Sequence, residues 1–131
     1  MKKFLIIAGV IVLVLLCAGG GLFYRMLNMA GTIENAQKQM SQVDLNRIAD
    51  GEYSGSFGDF LVSVNVKTTV KDHRITGIQI VDQICGPGYD AKDTIDRIIK
   101  AQSPKVDAVS GATSSSRSIM VAVYRSLRKV Q

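Results

Sequence analysis

Several residue types that commonly build functional sites are scarce in this chain of 131 residues, which has no tryptophan, one histidine and two cysteines. Because Cys17 lies within an apolar run, Cys85 is alone in the rest of the chain, and an intradomain disulfide is excluded. The single histidine, His73, falls in the polar residues 71–74, where we expect an exposed turn residue rather than a metal ligand. The composition therefore predicts neither a metal site nor a disulfide scaffold.

An excess of one charge is also missing from most of the chain. The net charge is +5 overall, but residues 50–131 contain 11 Lys and Arg against 9 Asp and Glu, a balance of +2. No basic run alternates with aromatic residues, so the sequence does not favour nucleic-acid binding. The cluster of Arg125, Arg128 and Lys129 is typical of the solvated last turns of a helix.

Charge is absent altogether from Phe4 to Tyr24. As a helix these 21 residues span about 32 Å at about 1.5 Å per residue, close to the roughly 30 Å thickness of a bilayer core. The pattern predicts a single-pass membrane anchor over residues 1–25.

Two alternatives to a retained anchor remain open from the sequence. One is a cleaved signal peptide, for which Ala18 and Gly20 are small enough to form the cleavage site, and the other is a lipid anchor on Cys17. Lys2 and Lys3 favour a cytoplasmic N-terminus. All three interpretations predict that the remaining chain lies outside the cytoplasm, at the cell membrane in the anchored case.

Beyond the anchor the sequence predicts two further parts. Residues 26–48 are predicted to be a helical stalk, because a loose apolar stripe at helical spacing runs through residues 32–42, and a short second helix is expected over residues 45–49. Residues 49–131 are predicted to form the folded domain.

The domain pattern predicts three strands followed by two helices. Apolar and polar residues alternate in residues 52–57, 61–70 and 75–81, and the short turns between these stretches indicate an antiparallel meander. Amphipathic helices are predicted over residues 90–101 and 114–129. The apolar face of the second helix, which we expect to pack on the sheet, consists of Ile119, Met120, Val123, Leu127 and Val130. The predicted fold class is α+β, with an N-terminal membrane helix before a small β-meander packed by two helices.

Two segments between these elements are suited to a ligand. The two glycines around Pro87 require a loop with unusual dihedral angles, which either covers a flat ligand or serves as a plain turn. Residues 107–116 place hydroxyls, a glycine and a carboxylate at a helix N-terminus, where a phosphate is favoured. There Gly111 permits close approach, and the Thr113 hydroxyl is able to carry a covalently bound group. Simple capping of the helix by Ser and Thr is the alternative on local chemistry.

The order of these segments resembles one family. The sequence ADGEYSG at residues 49–55 resembles the opening D-G-x-Y-x-G of the FMN-binding domain in the C subunit of sodium-translocating NADH:quinone reductase and the G subunit of the Rnf complex. The sequence VDAVSGAT at residues 106–113 resembles that family's flavinylation motif, D-x-x-S-G-A-T. The likeness covers about residues 49–129, with the elements in matching order, and two separated motifs are more specific than one.

The resemblance implies FMN bound through a phosphoester to Thr113 and attached outside the cytoplasm by a flavin transferase that uses FAD and magnesium. Matching the motif residue by residue, Asp107 and Ser110 would help the transferase to recognise or activate the site, whereas Gly111 and Ala112 would keep the approach to Thr113 open. The predicted cofactor-binding residues are Thr113, Ser110, Gly111, Ala112, Asp107, Ser114, Gly86, Gly88 and Tyr89.

The chain departs from the family at two places. The family loop often reads E-T-P-G-x-G, whereas residues 84–88 lack both the acid and the threonine, so Tyr89 or Cys85 is expected to replace their ring contacts. Ser114 follows Thr113 where the family has an apolar residue, which makes Ser114 and Ser115 alternative acceptors.

The resulting prediction is an extracytoplasmic flavoprotein that carries electrons, rather than a self-contained enzyme with catalytic residues of its own. Its expected partners are the flavin transferase, membrane lipid, and redox proteins or a quinone-linked complex, with no nucleic acid. Two other functions remain open: a module that holds FMN or another phosphate compound without a bond, and a structural envelope protein without a cofactor.

Overall fold

The computed structural model describes residues 1–59 and 61–130, and its contacts divide the chain into two compact units, Met1–Gly31 and Thr32–Gln131. Residue 131, the last of the predicted domain, lies outside the described part. The first helix, α1, covers Lys2–Lys38. Its apolar side chains in the first unit are exposed, and among the described residues it is the one helix whose length and composition suit a membrane span. This helix is compatible with the predicted anchor.

The helix predicted over residues 32–42 is the last part of α1, which ends earlier, at Lys38. The backbone tightens there because the N–H of Met40 donates to the carbonyl of Gln37 at 3.2 Å, and Met40 becomes buried. A hydrogen bond from Lys38 lowers the pKa of the Glu34 carboxyl, and the charges of Lys38 and Arg117 act in the same direction.

A 3-10 turn at Leu45–Arg47 forms where the short second helix was predicted. The Asp44 carboxylate accepts the N–H of Asn46 at 3.1 Å and caps this turn. Ile33 and Ile48 on either side of it along the chain are 3% and 0% exposed. The core of the second unit therefore includes residues that precede position 49.

Three strands follow in the predicted order: β1 at Gly51–Gly58, β2 at Ser63–Lys71 and β3 at Arg74–Ile84. They form one antiparallel sheet in the order β1-β2-β3, which confirms the meander. Asp72 and His73 both have positive φ, 51° and 58°, as a two-residue type I′ hairpin requires, and His73 is exposed as expected.

Strand β3 extends three residues beyond the predicted end at Val81. Ile80 pairs with Val66 and Asp82 pairs with Asn65, so Val81 is the extra residue of a β-bulge and is 62% exposed. The bulge interrupts the alternation of apolar and polar residues, which is why the sequence pattern ended there.

Two helices complete the domain: α2 at Asp93–Ala101 and α3 at Thr113–Arg128. The predicted start of α2 at residue 90 is too early, because Ala91 has a φ of +52° that no right-handed helix accepts. Gln102 ends α2 in the left-handed region, and its side-chain amide pairs with the backbone of Ile75 on β3, at 2.8 Å and 2.9 Å. This pairing fixes α2 against the sheet.

Helix α3 packs on β1 and β2 at very short range. A Cβ on Gly55 of β1 would overlap the carbonyl oxygen of Ala122 and lie 2.7 Å from the nitrogen of Ser126, so only glycine allows this approach. The hydroxyls of Ser126 and Thr68, both buried, lie 2.9 Å apart and connect the helix to β2.

The apolar face predicted for the last helix is buried at four of its five positions: Ile119, Met120, Val123 and Leu127 are each 0% exposed. The prediction that Val130 belongs to this face is wrong, since Val130 lies beyond the end of α3 and is 42% exposed. The helix is also buried well beyond this face. The other side of α3 is covered by the segment after residue 32, where the Ser41 and Tyr124 hydroxyls lie 2.9 Å apart. This hydrogen bond and a second one from the Ser41 N–H lower the pKa of Tyr124.

Candidate functional site

Thr113 is the first residue of α3, and a tight turn leads the chain into it. In residues 109–112 the N–H of Ala112 donates to the carbonyl of Val109 at 3.0 Å, and Gly111 has a φ of +81°. A positive φ at the third position is the type II arrangement, which requires glycine there. A Cβ on Gly111 would have nothing within 4 Å, so the space beside the turn is open. The turn therefore leaves Thr113 exposed.

Two side chains that were not among the predicted site residues hold this segment. The Ser116 hydroxyl accepts the N–H of Val109 at 2.9 Å and donates to the carbonyl of Ala112 at 2.8 Å. The Arg97 guanidinium on α2 donates to the carbonyls of residues 107–108, at 3.0 and 3.1 Å. Neither role has a sequence signal, because both depend on backbone groups that the tertiary fold brings close.

The N-terminus of α3 is not capped by a side chain, because Ala112 occupies the N-cap position. The Ser-rich stretch therefore does not act as the simple cap that local chemistry allowed. Free N–H groups and the helix dipole favour an anion at such an end. Of the two alternative acceptors, Ser114 is exposed, whereas Ser115 is only 3% exposed.

The glycine-proline segment forms a second turn of the same kind. The N–H of Tyr89 donates to the carbonyl of Gly86 at 3.0 Å, and Gly88 has a φ of +79° at the third position, after Pro87. The Tyr89 ring packs against Gly86, since a Cβ there would lie 3.1 Å from Cδ2 of the ring. Tyr89 itself is 53% exposed.

The two turns meet at a cleft of about 460 Å³, within the range of about 300–1,000 Å³ that is usual for small-molecule sites. Residues 88–89 line one side, residues 109–112 line another, and residues 90–93 before and at the start of α2 complete it. A ligand that combines a phosphate with a flat ring suits such a site. Its phosphate would lie at the helix end and its ring near an aromatic side chain. The sequence alone did not show that these segments lie together.

The structure brings together five of the nine predicted site residues around this cleft, which are Gly88, Tyr89, Ser110, Gly111 and Ala112. Thr113 and Ser114 follow directly along the chain, and Gly86 lies against the Tyr89 ring. Asp107 is separate, because it lines a larger cleft of about 700 Å³ together with Arg97, Lys100 and Lys105. The roles of these residues toward a cofactor stay predictions.

These features define a small α+β domain in which the uncapped start of α3 follows directly on a cleft formed by two glycine turns. The family model of the FMN-binding domain matches residues 62–128, just over half of the chain, and the chain therefore belongs to this family. The matched range includes both type II turns, whereas the D-G-x-Y-x-G resemblance on β1 precedes it. No curated protein matches the chain.

Proposed function

We propose that this protein is a membrane-anchored electron carrier that holds FMN covalently on Thr113. The observation that carries the proposal is the position of the Thr113 hydroxyl: it is exposed, at the first residue of a buried helix, directly after a turn with open space beside it. A rigid helix end keeps a group attached there in a constant place relative to the cleft. Membership of the FMN-binding domain family supports FMN as that group.

Attachment requires a donor and a modifying enzyme. The Thr113 oxygen forms a bond to the FMN phosphorus of FAD, the phosphoanhydride bond to AMP breaks, and the hydroxyl proton is lost. A flavin transferase with magnesium supplies this chemistry outside the cytoplasm, and the chain contributes an accessible hydroxyl. When bound, the flavin supplies electron transfer in one- or two-electron steps.

The residues around the cleft then bind and orient the cofactor. The N–H groups at the start of α3 favour the phosphate, and the glycine turn at Gly111 keeps the backbone clear of it. Tyr89, half exposed beside the cleft, provides an aromatic surface for the ring. A covalent bond suits an extracytoplasmic carrier, because a flavin released there is diluted and lost.

The redox partner, we infer, is a membrane-embedded component. The segment after residue 32 runs parallel to α3, because Gln37 contacts Met120 and Ser41 contacts Tyr124, each pair 83 residues apart. The charge of Arg117 acts on Glu34, again with an offset of 83. Continued to the start of the segment, the same offset of 83 residues places residue 32 beside Ser115. Thr113 therefore lies at the end of the domain where the chain enters it.

A protein held by the apolar segment of α1 would stay at the membrane, where membrane-bound donors or acceptors are the accessible partners. A quinone-linked complex has this property.

The attachment is tested by producing the full chain together with a flavin transferase. We expect a fluorescent band on a denaturing gel and a mass increase of one FMN less one water. Thr113→Ala should abolish both signals, whereas Thr113→Ser keeps a hydroxyl at the position and Ser114→Ala is the matched control that keeps them. A fluorescent Thr113→Ala protein would place the bond elsewhere and reject the proposal.

The uncapped start of α3 also favours a second candidate, a module that holds FMN through its phosphate without a bond. The two functions differ in one observable. A non-covalent flavin copurifies with the native protein and is removed by urea, whereas the phosphoester survives urea and remains on the chain. Protein that stays colourless in both preparations would instead favour a structural role without a cofactor.

A further inference from the structure

The Ser116 hydroxyl connects the turn at residues 109–112 to the first turn of α3, and among the described hydrogen bonds no other side chain does so. The hydroxyl acts both as acceptor and as donor, because its oxygen accepts the N–H of Val109 at 2.9 Å and its O–H donates to the carbonyl of Ala112 at 2.8 Å. The Ser116 residue is 0% exposed, so water does not compete for either bond. Val109 and Ala112 are the two ends of the turn that contains Gly111.

The hydrogen bonding of Ser116 differs from that of an ordinary serine within a helix. Serine in helices often donates to the carbonyl four residues earlier, and Ser118 does so with Ser114 at 2.9 Å. Ser116 makes the equivalent bond to Ala112 and in addition binds Val109, which lies outside the helix. Without that hydroxyl, the Val109 N–H has no described partner, and the turn keeps only the backbone hydrogen bond from the Ser116 N–H to the Ala112 carbonyl, at 2.9 Å.

We propose that Ser116 is a positioning residue for attachment of flavin at Thr113. It acts on Thr113 through the turn: by holding Val109 against Ala112, it keeps the chain in the conformation that presents the hydroxyl at the start of the helix. The proposal rests on the proposed function, because it concerns the same attachment reaction. Ser116 does not contact the reacting atoms.

The effect follows from the population of the competent conformation. If the transferase binds only the closed turn, the apparent KM rises in inverse proportion to the closed fraction, while kcat is unchanged. One net hydrogen bond changes an equilibrium by a factor of about five, and loss of both bonds leaves a half-buried N–H unpaired as well. We therefore expect Ser116→Ala to lower kcat/KM for the apoprotein through KM, by up to about tenfold, the full factor applying where the closed turn is the minor population.

Ser118→Ala is the matched control, because Ser118 is equally buried, lies on the same helix and loses the same kind of bond, but touches no part of the turn. Full-length wild type and both variants would be purified in detergent micelles. Initial rates of flavin incorporation would be measured with purified transferase, FAD and magnesium over a range of apoprotein concentrations, well below each melting temperature. Hydrogen exchange at the Val109 amide would be followed by NMR on the same apoproteins.

The expected result is a raised KM and faster exchange at Val109 in Ser116→Ala, with Ser118→Ala close to wild type in both. A Ser116→Ala protein whose KM and Val109 exchange rate both match those of Ser118→Ala overturns the inference, because loss of the hydrogen bonds would then leave the turn unchanged. Equal losses in the two variants also overturn it, since they indicate a general weakening of α3. If the wild type takes up no flavin, the proposed function itself is rejected. If the wild type is labelled and Ser116→Ala is unaffected, only the role of Ser116 is rejected.

Discussion

Replacement of Gly55 by alanine tests the close packing of α3 on the sheet. The new Cβ would overlap the carbonyl oxygen of Ala122 and would lie 2.7 Å from the nitrogen and 2.8 Å from the Cβ of Ser126. Carbon atoms in good contact are about 3.5–4.0 Å apart, so the helix backbone has to retreat by roughly 1 Å. Backbone atoms, unlike the end of a flexible side chain, cannot rotate away.

The retreat is costly because α3 is buried on its other side as well. Moving the helix stretches the 2.9 Å contact between Ser126 and Thr68 and presses α3 toward the segment that holds Ser41. Overpacking of this kind costs about 1–3 kcal/mol, and we expect a value near the upper limit, about 3 kcal/mol. For a domain of this size the melting temperature should fall by about 12–24 °C, at about 4–8 °C per kcal/mol.

Gly77→Ala is the matched control, since Gly77 lies in the same sheet and a Cβ there meets Thr69 at an ordinary 3.8 Å. We expect it to be neutral or to stabilise by up to about 1 kcal/mol, because alanine loses less backbone entropy on folding. Thermal unfolding of the full chain in detergent, followed by near-ultraviolet circular dichroism of the tyrosines, measures both variants. Equal melting temperatures for Gly55→Ala, Gly77→Ala and wild type would refute the reasoning.

Two other changes test the site and the tether. Gly111→Ala adds a methyl group that meets nothing within 4 Å, so its cost is that of positive φ alone, about 1–2 kcal/mol, and asparagine should be tolerated better. Flavin incorporation should therefore fall in the order glycine, asparagine, alanine, and equal incorporation in all three would contradict a type II turn. A flexible ten-residue Gly/Ser insertion after Arg25 should leave flavin attachment unchanged but slow reduction of the flavin in carbonate-washed membrane vesicles that retain the full-length chain. Unchanged reduction kinetics would argue for a soluble partner instead.

The features that follow from local pattern could be predicted. Strand β2 alternates fully buried residues with less buried ones along its length, and its two-residue turn into β3 fixes the pairing, so the meander was readable from the sequence. The motif at residues 106–113 pointed to the start of the last helix, and Thr113 is the first residue of α3. These signals are local, because each depends on spacing within a single segment.

Predictions failed where a residue's conformation depends on distant groups. Val81 has the apolar side chain of a strand residue, yet it is the exposed bulge of β3 because of how two strands pair. Ala91 has good helix propensity but a positive φ, so α2 begins only at Asp93. Gln102 looks like an ordinary polar residue, although its amide pairs with Ile75 across the fold.

The amino-acid sequence alone determined the apolar segment, the order of strands and helices, the two glycine turns and the hydroxyl at the head of the last helix. Periodicity and backbone restrictions act over a few neighbouring residues, so they can be recognised without coordinates. Only the tertiary structure decided that Gly55 admits the backbone of α3, that the turns at Gly88 and Gly111 share a cleft, and that Ser116 holds the motif. These relations join atoms far apart in the chain or groups of the backbone itself, which no pattern of side chains encodes.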